Sequence, residues 1–157
     1  MNVPLQDDGA GALTINGARY LLIRPETLAA LQKAVETVAG RRAADCLAAG
    51  GRTGGARATG SLAGAGEERV RSLLAMGTAI GWGRFALEHL TPDALVVTVH
   101  RSPFAEAYGA SAAPVCHLTR GVLQSLASLT LGRPVRVTET ACAAMGSAAC
   151  RFEAAPE

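Results

Sequence analysis

The sequence has few aromatic residues, a modest share of charges and no long apolar run. Aromatic residues make up 4% and charged residues 18% of the chain, and the formal net charge is +2. No cluster of Lys and Arg alternates with aromatic residues, so the electrostatic footprint of a nucleic-acid-binding protein is missing. No stretch reaches the ~18 apolar residues of a membrane span, and the first residues, with Asp7 and Asp8, lack the apolar region of a secretory signal. We therefore expect a cytoplasmic protein without a membrane span or a nucleic-acid partner.

The length and the apolar content indicate one domain with ample material for a core. The chain has 157 residues, of which 49% are hydrophobic. Residues 1–16 are polar and contain glycine, and we predict that they form a flexible N-terminus before a single domain over residues 17–155. The four cysteines do not indicate a disulfide framework, because a reducing cytoplasm leaves metal ligation, reactivity or burial as their usual roles.

The first half of the chain carries one strand pattern and two helix patterns. Residues 18–23 are typical of a short strand, and residues 25–39 are typical of an amphipathic helix that begins at Pro25 and ends at Gly40. A second helix is predicted over residues 67–80. Between them, residues 41–66 are rich in Ala and Gly, which leaves two alternatives open: a flexible linker, or a helix whose glycines permit close packing.

The second half predicts two hairpins that flank a helix. Strands are expected over residues 82–90 and 94–101, and again over 135–140 and 149–154. After a loop over residues 102–112, Pro114 opens a helix that carries Cys116 in its first turn and ends at Gly132. This order of elements predicts an α/β (α+β) fold in which helices cover an antiparallel sheet.

Strand alternation turns a carboxylate toward the core. Glu139 shares a face with Val135 and Val137, and in the partner strand Cys150 shares a face with Phe152. A carboxylate on an apolar face is costly unless a positive group pairs it, and this stretch offers no inward Lys or Arg. A metal ion would neutralise the charge.

Three cysteines are placed to join Glu139. Cys142 lies three residues further along the chain, Cys150 closes the hairpin, and Cys116 can approach from the first turn of the preceding helix. Three thiolates and one carboxylate in four-coordinate geometry are typical of a closed structural Zn²⁺ site. The alternative is that these cysteines are small buried hydrophobic residues and that backbone amides cap Glu139.

Other residues have two interpretations each. Trp82, between two glycines, either stacks on an aromatic ligand or fills the core, while Phe104 and Tyr108 either line the mouth of a ligand pocket or anchor their loop. Cys46 is predicted to be a buried free thiol. His117 diverges by about 100° from its helical neighbour and is not expected to bind the same ion.

Three stretches of the chain resemble the 4-vinyl reductase domain family. They are Ser-Pro-Phe-Ala-Glu-Ala-Tyr-Gly at 102–109, Val-Cys-His-Leu-Thr-Arg-Gly at 115–121, and the segment 137–153, in which Glu-x-x-Cys is followed by a Gly turn and Cys-Arg-Phe. That last segment is the most specific part. The Gly-Trp-Gly motif within residues 77–87 and the Gly-rich residues 50–60 are also similar to the family, so that the resemblance spans roughly residues 19–154.

The resemblance implies a fold and a metal. It implies an α/β ligand-binding fold similar to that of the TRAPP subunits of Golgi transport, a homodimer, and a packed helix over residues 43–60. The family includes sensor domains of aromatic-responsive transcription activators and a protein linked to bacteriochlorophyll synthesis. In those sensors a zinc is held by the residues that match Cys116, Glu139, Cys142 and Cys150.

These patterns together predict a non-catalytic, zinc-containing sensor or carrier domain for a hydrophobic or aromatic small molecule. The activators continue into an ATPase and a DNA-binding domain, whereas this chain ends soon after Phe152, so we expect no transcriptional regulation by this chain alone. No Gly-x-Gly-x-x-Gly helix start is present, and no catalytic or cofactor-binding residue is predicted. The alternatives are an accessory factor or reductase that acts on the vinyl group of a bacteriochlorophyll precursor, and a structural assembly subunit.

Overall fold

A computed structural model describes residues 5–157, and its first element is a small antiparallel sheet. The strands β1 (Gln6–Asp7), β2 (Leu13–Ile15) and β3 (Ala18–Tyr20) pair in the order β1-β2-β3. Asn16 and Gly17 join β2 to β3 with positive φ angles of 50° and 77°, as a tight hairpin turn requires. The sequence pattern predicted only the last of these strands. Residues 1–4 of the predicted flexible segment lie outside the described residues, and its flexibility stays a prediction.

Three helices follow, and the second decides between the two alternatives for the Gly-rich segment. They are α1 (Pro25–Ala39), α2 (Ala43–Gly60) and α3 (Gly66–Ala79). Residues 43–60 form a continuous helix rather than a flexible linker. Over residues 5–157, no helix is both long enough and apolar enough to cross a membrane.

The main sheet has four antiparallel strands in the order β4-β5-β7-β6. They are β4 (Arg84–Thr91), β5 (Ala94–His100), β6 (Val135–Ala141) and β7 (Cys150–Pro156), with α4 (Pro103–Tyr108) and α5 (His117–Leu131) between the two hairpins. This order places β7 beside β5, because the second hairpin adds to the first through its later strand. An antiparallel sheet covered by helices is therefore confirmed.

The two faces of the main sheet differ in chemistry. The inner face packs against α3 and α5 through buried side chains such as Val97, Phe152 and Leu126. On the outer face, Arg151 bonds Glu88 at 3.1 Å and also pairs with Glu153. This alternation follows the two-residue period of the strands and fixes which side chains enter the core.

Two details around α4 and α5 differ from the sequence prediction. The expected loop over residues 102–112 contains α4, which Ser102 caps by accepting a hydrogen bond from the Ala105 N–H at 3.4 Å. Helix α5 begins at His117 rather than at Pro114, and Cys116 is its N-cap residue. The Cys116 N–H donates to Glu139 Oε2 at 2.9 Å, so a side chain from β6 satisfies an amide at the helix start.

Candidate metal centre and apolar cavity

Four potential ligands converge where α5 meets the second hairpin. Cys116, Glu139, Cys142 and Cys150, hereafter the cysteine–glutamate cluster, offer ligand atoms that all lie within 4.8 Å of one another. The three cysteines are 0% exposed and Glu139 is 6% exposed. The structure thus brings together all four residues of the predicted metal site.

The hairpin reaches this geometry through a bulge and a tight turn. The pairing of β6 with β7 shifts register between Glu139 and Ala141, and a short 3-10 turn over residues 143–145 follows. Gly146 then adopts a φ of 91°, which favours glycine, and returns the chain toward β7. As a result the Ala143 N–H donates to Cys150 Sγ at 3.3 Å.

Glu139 is buried with half of its carboxylate unpaired. Oε2 accepts the Cys116 N–H, but Oε1 has no hydrogen-bond partner among residues 5–157. Burial raises the pKa of Glu139 to about 9. A buried carboxylate oxygen without a partner is a costly feature, which a cation would relieve.

The thiols share hydrogen bonds with one another. The sulfurs of Cys116 and Cys150 are 3.6 Å apart, and the Ser102 hydroxyl is 3.4 Å from the Cys116 sulfur. Hydrogen bonding to the Cys116 sulfur lowers the pKa of Cys142 to about 4 and also lowers the pKa of Cys150, while the pKa of Cys116 is raised. Thiolate character is therefore concentrated on two sulfurs beside a buried carboxyl group.

The cluster fits a metal ion on geometric grounds. Tetrahedral zinc with Zn–S distances of about 2.3 Å places its sulfurs roughly 3.8 Å apart, and Cys116 and Cys150 are separated by 3.6 Å. The unpaired Oε1 of Glu139 supplies a free lone pair at the same place. Three sulfurs and one oxygen can hold a metal ion, and the identity of that ion as zinc stays a prediction.

A second feature is an apolar cavity of about 220 Å³ among α2, α3, α5 and β4. Carbon atoms make up most of its wall, and among the lining side chains Tyr20 and Trp82 carry an O–H or N–H group. Glycine occupies five positions of the wall, four of them in α2. The lining residues are Tyr20, Gly50, Gly51, Gly54, Gly55, Ala58, Leu73, Leu74, Met76, Gly77, Ile80, Trp82, Phe85, Leu118, Val122 and Leu123.

The three aromatic residues singled out from the sequence lie at different distances from this cavity. Trp82 lines it, and Phe104 packs edge-on against Trp82 with ring centroids 5.0 Å apart, supporting the indole from the core side. Tyr108 is outside the lining set. Its hydroxyl donates to Glu36 at 2.7 Å and its ring lies 4.5 Å from Lys33 Nζ, so it fastens α4 to α1.

Two further residues have clear positions. Cys46 is exposed on α2, and the prediction of a buried thiol is wrong because the glycine-lined stripe of α2, not the face that carries Cys46, packs on α5. His117 lines a polar cleft with Arg120 and Gln124 and is not one of the four clustered ligands.

The sequence analysis did not identify the glycines as residues that shape the cavity. A Cβ atom at Gly51 would overlap the Leu118 carbonyl oxygen, and one at Gly55 would lie 2.7 Å from Val122 Cα. Glycine at these positions therefore allows α2 to pack directly on the backbone of α5. The four-residue spacing of these glycines was the available signal, since residues four apart share one face of a helix.

Comparison with known proteins identifies the C-terminal part of the chain. Residues 95–156 match the family model of the 4-vinyl reductase (4VR) domain, and this segment contains the whole cysteine–glutamate cluster. Helices α2 and α3, which supply much of the cavity wall, lie before it. None of the curated proteins matches the chain by sequence.

Two solved structures share the fold. The phenol-responsive sensory domain of the transcription activator PoxR, solved with phenol, is 20% identical and superposes with a TM-score of 0.84 over 97% of this chain and 84% of that chain. A vinyl-4-reductase family protein from Methanocaldococcus jannaschii is 15% identical, with a TM-score of 0.62 over 86% of this chain and 82% of that chain. The predicted resemblance to the 4-vinyl reductase domain family is confirmed.

Proposed function

Since residues 95–156 of this chain match the 4-vinyl reductase domain family, we propose that the protein is a sensor or carrier domain that binds a small aromatic molecule in the cavity beside α5. In this proposal the cysteine–glutamate cluster holds a structural zinc and takes no part in a reaction. The ligand is held by shape and apolar contact.

The observation that carries the proposal is the size and lining of the cavity. An apolar cavity of about 150 Å³ in another protein accommodates benzene, and the cavity here measures about 220 Å³. Its wall offers carbon atoms almost throughout, with the Trp82 indole and the Tyr20 hydroxyl as polar groups. These features favour a ligand of one or two rings with at most a few polar atoms.

The structural neighbour supports the same chemical class. The PoxR sensory domain is described as phenol-responsive and was solved with phenol, and this chain shares its fold over nearly its whole length. We therefore take phenol as the first probe of this cavity.

The proposed zinc accounts for the unpaired groups of the cluster. When bound, a zinc ion supplies positive charge that neutralises the thiolates and the carboxylate. Cys116 then ties the start of α5 to the hairpin that carries Glu139, Cys142 and Cys150. Leu118 and Val122 follow in the first turns of the same helix and line the cavity, so the cluster also fixes one cavity wall.

We further propose that the protein acts as a homodimer in the cytoplasm. Leu21 and Leu22 are 79% and 72% exposed, and Val38 on α1 is 89% exposed, which is more apolar surface than isolated side chains explain. A second copy would cover it. Reducing conditions in the cytoplasm keep thiols available as metal ligands.

The cavity volume distinguishes this proposal from action on a pigment precursor. Sites for drug-sized ligands begin at about 300 Å³, and a four-ring tetrapyrrole exceeds the 220 Å³ of this cavity. The size of the cavity therefore favours the sensor or carrier function over vinyl reduction within it.

Two measurements test the proposal. Native mass spectrometry of the isolated protein should give a dimer with one zinc per chain, and calorimetric titration should show phenol binding with cyclohexanol, a non-aromatic molecule of similar size, binding more weakly. A protein without metal would exclude the structural zinc. A zinc-loaded protein that binds no aromatic compound would exclude the sensor function and favour an assembly role.

A further inference from the structure

The glycines of α2 fall into two groups with different reasons for lacking a side chain. Gly51 and Gly55 face the backbone of α5, where a Cβ atom would overlap Leu118 or press against Val122. At Gly54, by contrast, a Cβ atom would meet nothing within 4 Å. Helix packing therefore explains the first two glycines and leaves Gly54 unexplained.

Glycine at position 54 has a cost that calls for a compensating role. It lies inside an 18-residue helix, where glycine is less favourable than alanine because it loses more backbone entropy on folding. Its φ is not in the left-handed region, so the backbone does not require glycine there. What distinguishes Gly54 is that it lines the cavity while it is also exposed to solvent.

Helical geometry places position 54 toward the cavity. At about 100° per residue, the α2 residues that line the cavity form one stripe, and position 54 falls between Gly50 on the solvent side and Gly55 on the α5 side. A side chain added at position 54 would start from open space at the cavity opening. It would then occupy volume that a ligand uses.

We propose that Gly54 sets the size limit of the ligand, because its missing side chain provides part of the volume at the mouth of the cavity. This inference rests on the proposed function, since it takes the cavity as the ligand site. A larger residue at position 54 shortens the cavity without disturbing the contact between α2 and α5. The wild-type protein therefore accepts ligands longer than those that the buried part of the cavity holds alone.

The test compares Gly54→Leu with Gly60→Leu. Gly60 is an exposed glycine at the end of the same helix, it is outside the cavity lining, and a Cβ atom there would also meet nothing within 4 Å. Calorimetric titration measures the affinity of each variant and of the wild type for phenol, ethylphenol and naphthol. Thermal unfolding of Gly54→Ala and Gly54→Leu checks that α2 still folds.

The expected result is a loss that grows with ligand size. Gly54→Leu should bind the largest ligand accepted by the wild type at least about tenfold more weakly, which is the usual effect of one misplaced aliphatic group in an apolar pocket. Gly60→Leu should bind it as the wild type does. Unchanged affinity for that ligand in folded Gly54→Leu would overturn the role of Gly54 and leave the proposed function standing. A wild-type protein that binds none of the three probes would overturn both.

Discussion

The cysteine–glutamate cluster and the apolar cavity share helix α5 but are built by opposite means. The cluster gathers four side chains of distinctive chemistry, which come from α5 and a single hairpin. The cavity is a volume that side chains leave free, and its wall draws on α2, α3, α5 and β4. One region is defined by the groups that are present, and the other is defined largely by the glycines where groups are absent.

This difference affects how each region tolerates change. Removing one member of the cluster leaves the remaining buried acidic groups without their shared partner, which is a large penalty. Removing or adding a methyl group at the cavity wall changes the fit of a ligand and the packing by smaller amounts. The following predictions test that contrast, in order of decreasing effect.

The largest effect is expected for Cys150→Ala or Cys142→Ala. Either change should abolish metal binding and lower the melting temperature by more than about 10 °C, because a structural metal contributes several kcal/mol to folding. Metal analysis and thermal unfolding measure both. Cys46→Ala is the matched control, since Cys46 is exposed on α2 and should retain metal and stability. Equal melting temperatures for Cys150→Ala and wild type would contradict a structural metal.

A smaller loss is expected for Gly51→Ala. Its methyl group would overlap the Leu118 carbonyl, so α2 must move away from α5 at a cost of about 1–3 kcal/mol. Gly54→Ala should instead raise the free energy of unfolding by up to about 1 kcal/mol, because alanine favours the helix and nothing obstructs it. Urea unfolding of both variants gives the comparison. The same sign for both would show that the contact between the two helices is looser than described.

For ligand binding, the expected effect of Trp82→Ala is moderate. Loss of the indole from the cavity wall should weaken phenol binding about threefold to tenfold, the usual range for one aromatic pair. Tyr108→Phe serves as the control because Tyr108 is outside the lining and binds Glu36 instead. Calorimetry measures both affinities. An unchanged affinity in folded Trp82→Ala would return Trp82 to a purely structural role against Phe104.

The smallest effect is expected for Arg151→Ala, although Arg151 lies in the most specific motif of the sequence. Its side chain is on the outer face of the sheet, is 38% exposed and pairs with Glu88 and Glu153. Exposed ion pairs contribute less than about 1 kcal/mol. Thermal unfolding and metal content should both stay close to wild type. Loss of the metal in this variant would mean that the outer face supports the cluster.

Much of the cluster was predictable because strand alternation and ligand chemistry both act locally. The inward direction of Glu139 followed from its two-residue spacing from Val137, and the structure places it there. The N-cap position of Cys116 was missed by a few residues, because the helix start depends on the contact with Glu139 from a distant strand. The burial of Cys46 was wrong for a related reason, since the face that α2 buries is chosen by close approach to α5.

The amino-acid sequence by itself determined the antiparallel sheet with its covering helices, the inward carboxylate and the family of the domain. Each of these depends on residue type and spacing within one segment, where the periods of strands and helices apply. Only the tertiary structure decided that α2 is a packed helix, that Trp82 lines a cavity while Tyr108 does not, and that Gly54 borders open space while Gly51 touches a backbone. A cavity is the space left between elements distant in sequence, and that space exists only once those elements have packed.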